Sequence, residues 1–75
     1  MTKEINIALD KLYNWQNGDG GWGWWSGQES NPYISAYVVY GMIQARDSGF
    51  EVRADSLSRG EDFVRQQLKS NVRDL

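Results

Sequence analysis

A chain of 75 residues holds at most one small domain, and one of this size buries only about 60% of its unfolded surface, so its core is marginal without help. It has no cysteine, which excludes disulfides, thiolate metal sites and cysteine nucleophiles, and no histidine, the commonest metal ligand and general base. A net charge of −2 from eight basic and ten acidic residues argues against nucleic-acid binding, which draws on a basic patch.

Thr2 is placed to cap a first helix over about residues 3–16, with Glu4 complementing the positive end of its dipole. Ile5, Leu9, Leu12, Tyr13 and Gln16 recur at three- and four-residue steps and make one face, while Lys3, Asn6, Asp10, Lys11 and Asn14 fall mostly on the other. Asn17-Gly18 reads as its stop, a glycine just past the last periodic residue.

Residues 17–31 form a loop with an unusual centre, Asp19-Gly20-Gly21-Trp22-Gly23-Trp24-Trp25, followed by Ser26-Gly27. Glycine admits positive φ and close backbone approach, whereas tryptophan buries a large apolar area and wants a partner for its indole N–H. A flexible linker would not carry three indoles. Two readings stand: a structural plug that tightens the helices on either side, or an aromatic platform for a ligand such as a sugar or a prenyl chain. Asp19, ahead of a glycine, reads as a turn former bonding its own backbone rather than as a general acid.

Asn31-Pro32 restarts helix, with asparagine at the N-cap and the only proline at the first helical position, for a second helix over about residues 32–48. Between residues 33 and 45 its only polar side chains, tyrosine hydroxyls aside, are Ser35 and Gln44. A helix apolar nearly all round is buried nearly all round, so Tyr33, Tyr37, Tyr40 and Gly41 are expected in the interior. It is too short to cross a membrane, and no targeting signal is visible. Gly49 closes it. After a short extended connector, Asp55 is placed to cap a third helix over about residues 56–69, with Leu57, Gly60, Val64 and Leu68 as its buried stripe and Phe63 and Gln67 alongside. Gly60 in mid-helix costs about 1 kcal/mol relative to alanine and implies close approach to a neighbour.

The first and third helices share a register. Aligning Leu12 with Phe63 also aligns Gln16 with Gln67, a self-match of the kind that marks stacked helical hairpins. Two amphipathic helices cannot easily cover a helix that is apolar on every side, and repeat units rely on neighbours to bury their faces. The expected fold is therefore all-α, three helices excised from a larger helical repeat domain. On its own the chain is expected to be marginal, to self-associate or to expose a large apolar patch.

Arg59-Gly60-x-x-Phe63-x-x-x-Gln67, and Leu12-x-x-x-Gln16 with Gly20-x-Trp22, resemble the QW repeat of the squalene and oxidosqualene cyclases, which joins paired helices in an α/α toroid. The fuller string from Gln16 through Asp19, Gly20, Gly21, Trp22, Trp24 and Trp25, then Ser30-Asn31-Pro32-Tyr33, Ala36-Tyr37-Val38 and Gly41, resembles the complement-like (thioester) domain of bacterial alpha-2-macroglobulins, which shares the toroid. The resemblance implies a parent that is a large secreted, periplasmic or membrane-anchored protease trap, whose partners are its own neighbouring repeats and domains and, through the parent, target proteases. It implies that Gln16 bonds backbone near the start of the second helix with Trp22 stacked above it, and that Gln67 does the same for a helix beyond this chain. The first copy has Ala8-Leu9 where the third helix has Arg59-Gly60, and the family's Gly-Cys-Gly-Glu-Gln thioester motif is absent. Catalysis by this chain is not expected: no aspartate cluster of the cyclase kind is present and, Lys and carboxylate schemes aside, no nucleophile–base pair can be built without His or Cys. Neither a metal nor a cofactor is expected. A fragment of a cyclase-type barrel and an aromatic ligand-binding module remain the alternatives to a structural segment.

Overall fold

The computed structural model describes residues 2–73, with side chains from residue 3 to residue 69. It contains three helices, α1 (Thr2–Trp15), α2 (Pro32–Asp47) and α3 (Ala54–Arg73), and no strand among the described residues. The expected capping role of Thr2 falls on a side chain outside those described.

Each helix boundary has a local cause. α1 stops at Trp15 because the Asn17 N–H turns away to the Gly21 carbonyl at 2.8 Å, after Gln16 has made the last bond back to Leu12. The left-handed residue of this turn is Gly20, at φ 95°, and not the expected Gly18. α2 begins as expected: Asn31 is extended and its side chain accepts from the Tyr33 and Ile34 N–H groups at 2.9 and 3.1 Å, with Pro32 at the first helical position. It ends on Gly49, at φ 100°, with the Phe50 N–H bonded back to the Ala45 carbonyl.

α3 starts two residues before the expected Ser56, so Asp55 lies inside the first turn rather than at the cap. Arg53 explains the shift. Its N–H donates to the Tyr13 hydroxyl at 3.0 Å, its guanidinium lies 5.3 Å from the Tyr13 ring centroid, and its carbonyl accepts the first helical bond, from Leu57. The Asp55 carboxylate turns back to that guanidinium at 3.1 Å.

Leu9, Trp22, Val38, Val39, Met42 and Leu57 form the core. α2 and α3 pack side by side, and the buried side of α2 is Ser35, Val38, Val39 and Met42, one stripe at helical spacing. Its opposite side is uncovered. Tyr33, Tyr37 and Tyr40 are 82%, 79% and 62% exposed, and Gly41 is exposed with them, so none of the four is interior within this chain. The reason is geometric: the backbone spans only 17 Å in its thinnest direction, too little to enclose a helix about 10 Å across on every side. Leu68, expected in the α3 stripe, is also exposed, at 60%.

Candidate functional site

The chain's most elaborate local arrangement lies where the loop between α1 and α2 meets the first half of α3. Trp22 is fully buried, with its N–H donating to the Ser35 Oγ at 2.8 Å and the Ser35 hydroxyl donating back to its carbonyl at 3.2 Å. That carbonyl also accepts the Asn31 N–H, and the indole N–H donates to the Leu12 carbonyl at 2.8 Å. Trp22 thus ties the end of α1 to the start of α2 while its ring supplies apolar area to the core. The ring lies against Gly60, where an added Cβ would stand 2.8 Å from the indole and 2.9 Å from the Val39 Cγ2. The close approach expected at Gly60 is real, and its partners are the Trp22 indole and α2.

The residues beside Trp22 are fitted to the same surface. Gly20 combines positive φ with a contact that leaves no room for a side chain, since its Cβ would fall 2.5 Å from the Arg59 carbonyl oxygen. A Cβ on Gly21 would stand 2.9 Å from the half-buried Phe63 ring. Asp19 is a turn residue: its Oδ1 accepts from the Gly21 N–H at 3.0 Å and from the Ser30 hydroxyl at 2.7 Å. The Arg59 guanidinium donates to the Asn17 and Gly18 carbonyls, both at 3.2 Å, just past the end of α1. Arg59, Gly60 and Phe63, aligned with α1 in the sequence register, are therefore the seat on which the glycine–tryptophan turn rests.

Gln16 bonds differently from its expected pattern. Its Nε2 donates to the carbonyls of Gly20 and Ser56 at 2.9 and 3.0 Å, and its Oε1 accepts the Ser56 hydroxyl at 2.8 Å. It fastens the loop to the first turn of α3, not to the start of α2, because Asn31 already serves the α2 N-terminus with its own side chain. Gln67, half-buried further along α3, makes no side-chain hydrogen bond among the described residues.

Trp24 and Trp25 have the opposite fate to Trp22. Each is 65% exposed, so the plug reading holds for Trp22 and fails for these two. Gly23 forces the divergence, since a Cβ there would lie 2.5 Å from the Glu29 carbonyl oxygen: the chain doubles back so tightly that the next residues are pushed outward. Elsewhere an apolar groove of about 320 Å³ runs between α1 and α2, lined by Leu12, Trp15, Ile34, Tyr37, Val38 and Gly41. The buried Trp15 Nε1 has no hydrogen-bond partner among the described residues.

Two buried residues that carry the lock, Ser35 and Ser56, are not singled out by sequence pattern. A lone serine four residues past an N-cap, in an otherwise apolar helix, is a usable signal: a hydroxyl buried there must find backbone to bond. The Asp55 carboxyl is held below its usual value chiefly by the Arg53 hydrogen bond, with burial opposing it. No three of the described carboxylates stand together as a metal site requires. The side chains of Gln16, Trp22, Ser35 and Ser56 are all engaged with backbone or with one another, and their bonds join α1, the loop, α2 and α3.

No family model matches the chain, and no solved structure matches it. Curated relatives do. An alpha-2-macroglobulin of Thermotoga maritima is 37% identical over 66 residues, covering 88% of this chain and 4% of the relative. An alpha-2-macroglobulin of Escherichia coli is 26% identical over 66 residues, 87% of this chain and 4% of the relative. An alpha-2-macroglobulin homolog of Nostoc sp. is 35% identical over 81 aligned positions, 88% of this chain and 4% of the relative. The chain spans only about 4% of the length of these relatives, but the likeness runs through nearly all of its own, and it supports the alpha-2-macroglobulin family.

Proposed function

We propose that the chain is a non-catalytic structural segment of the complement-like (thioester) domain of a bacterial alpha-2-macroglobulin, a protease-trapping inhibitor. On this reading it is one period of an α/α toroid and the helical start of the next. The observation that carries the reading is the seat of Gly20, Gly21 and Trp22 on Arg59, Gly60 and Phe63. The loop of one period closes on the helix of the following one, as stacked repeats require. The similarity to segments of three alpha-2-macroglobulins supports it from the sequence side. No residue of the chain acts chemically. Its partners are the adjoining repeats of the longer polypeptide, which cover Tyr33, Tyr37, Tyr40 and Gly41, and Gln67 serves a helix in the next repeat. Target proteases are met only through the whole inhibitor, in the periplasm or outside the cell. None of the described helices is long and apolar enough to cross a membrane.

The test is intact-mass spectrometry of a longer polypeptide carrying this segment, before and after methylamine, with a protease-entrapment assay alongside. A methylamine adduct and one newly titratable thiol, with entrapment of an added protease, is the expected result. Entrapment without an adduct would keep the trap and remove the thioester. Failure of both would overturn the reading in favour of a cyclase-type barrel.

The exposure of Trp24 and Trp25 favours a second reading, an aromatic platform for a sugar or prenyl ligand. Saturable quenching of their fluorescence by oligosaccharides or a prenyl analogue, lost in Trp24→Ser and Trp25→Ser, would establish it; an unchanged spectrum would remove it.

A further inference from the structure

We propose that Asn17 is a site of spontaneous modification: its side-chain amide is lost to attack by the Gly18 backbone nitrogen, and the carboxylate left behind loosens the loop that buries Trp22. The starting point is a glycine the fold does not use. Gly20 is required by its positive φ and by its contact with Arg59. Gly18, in the same turn, answers to neither reason: its φ is not positive, an added Cβ would meet nothing within 4 Å, and it is exposed. What a bare Cα does supply at this position is unhindered approach of the Gly18 nitrogen to the Asn17 side chain. The other asparagines lack it. Asn6, Asn14 and Asn71 precede the bulky Ile7, Trp15 and Val72, and Asn31 precedes Pro32, which has no N–H.

The turn also prepares the attacking nitrogen. The Gly18 N–H makes no hydrogen bond among the described residues. The carbonyl of its own peptide unit, that of Asn17, accepts from the Arg59 guanidinium at 3.2 Å and from the Gly20 N–H at 3.0 Å. A cation on that oxygen favours the deprotonated amide, which is the nucleophile. Once the carboxamide turns from its surface contact with the Gln28 carbonyl, the Gly18 nitrogen bonds to the Asn17 Cγ. The Nδ2 group leaves as ammonia, carrying the equivalent of the proton that Gly18 lost. Water then opens the cyclic imide at either carbonyl, giving aspartate or its β-linked isomer. Asp19 also precedes a glycine, but the Gly20 N–H is bonded to the Asn17 carbonyl and the Asp19 Oδ1 is held by two donors.

The product does not suit its surroundings. The Asn17 Nδ2 donates to the Gln28 carbonyl at 2.8 Å and to the Ser30 Oγ at 2.9 Å, tying the two ends of the loop together. The Ser30 hydroxyl has already given its hydrogen to Asp19. A carboxylate at residue 17 therefore replaces two donated bonds with two facing acceptors, close to the Asp19 charge. The β-linked isomer adds a methylene to the backbone where the Asn17 N–H meets the Gly21 carbonyl. None of this rests on the macroglobulin reading.

Peptide mapping by mass spectrometry, with enzymatic labelling of isoaspartate, tests the proposal on the 75-residue chain held in mildly alkaline buffer. Conversion is expected at Asn17 ahead of Asn6 and Asn14, as a mixture of the two products, and faster as pH rises. Gly18→Ala should slow it about tenfold or more by hindering the approach. The same variant should keep its helix content and urea midpoint, since the fold has room for the methyl. Asn17→Asp should lower the urea midpoint and increase the exposure of Trp22 to a fluorescence quencher. No conversion at Asn17, equal conversion at Asn6 or Asn14, or an unslowed Gly18→Ala would overturn the site. An unchanged midpoint in Asn17→Asp would overturn the loosening.

Discussion

Trp22 and the pair Trp24 and Trp25 lie three residues or fewer apart in one loop, yet the first is fully buried and the others are largely exposed. What separates them is the backbone between them. The turn set by Asp19 and Gly20 drives the Trp22 indole down onto Gly60, and the reversal at Gly23 throws the next two rings outward. Identical side chains within one short string thus hold different positions because glycines dictate the path. Density of tryptophan in a sequence is not by itself a measure of burial.

Substitution separates the two halves most widely at the rings. Trp22→Ala removes the largest core side chain and leaves the Leu12 carbonyl without its indole donor, a loss of about 3–5 kcal/mol. That is comparable with the whole stability of a chain this small, so cooperative unfolding in urea should disappear. Trp24→Ala and Trp25→Ala should each stay within about 0.5 kcal/mol of the parent. Equal effects at the two sites, read from the same denaturation curves, would refute the contrast.

A matched pair of glycines sharpens it. Gly60→Ala gains up to about 1 kcal/mol of helix propensity but drives a methyl to 2.8 Å from the Trp22 ring, for a net loss of about 2 kcal/mol. Gly41→Ala meets no atom within 4 Å and should instead stabilise the chain by roughly 0.5–1 kcal/mol. Opposite signs of the shift in thermal midpoint are the expected result.

Gln16→Ala is next in size. It strips both carbonyl bonds and the Ser56 hydroxyl of their partner at a half-buried site, for a loss of about 1–2 kcal/mol in urea unfolding. A loss below about 0.5 kcal/mol would mean that water replaces the amide without penalty.

How much of this was readable in advance follows a physical line. The three helices, the Asn31 cap, the amphipathic face of α1 and the close approach at Gly60 are local or periodic, and period and capping chemistry carry them. The destination of Gln16 was not readable, because its partner Ser56 lies far along the chain and only the folded loop brings them together. The tyrosine face of α2 was readable only in part, because apolar character on every side says that a helix should be covered, not whether this chain contains what covers it. Asp55 was displaced from its cap by Arg53, whose anchoring on Tyr13 is again a long-range contact.

That displacement gives the smallest predicted effect. The Asp55 carboxyl titrates below the usual carboxylate value because Arg53 hydrogen-bonds its charged form. A group whose folded pKa is depressed contributes stability above its unfolded pKa and loses it as pH falls through the folded value. The unfolded value is about 3.9. The difference in thermal midpoint between the chain and Asp55→Asn should therefore be flat from neutral pH down to about pH 5, then close as acid protonates the carboxylate. Exposure of both side chains keeps the difference small, and salt should shrink it further. A difference that widened in acid would place the stabilising role of Asp55 elsewhere than in its charge, and would detach the start of α3 from the Arg53–Asp55 pair.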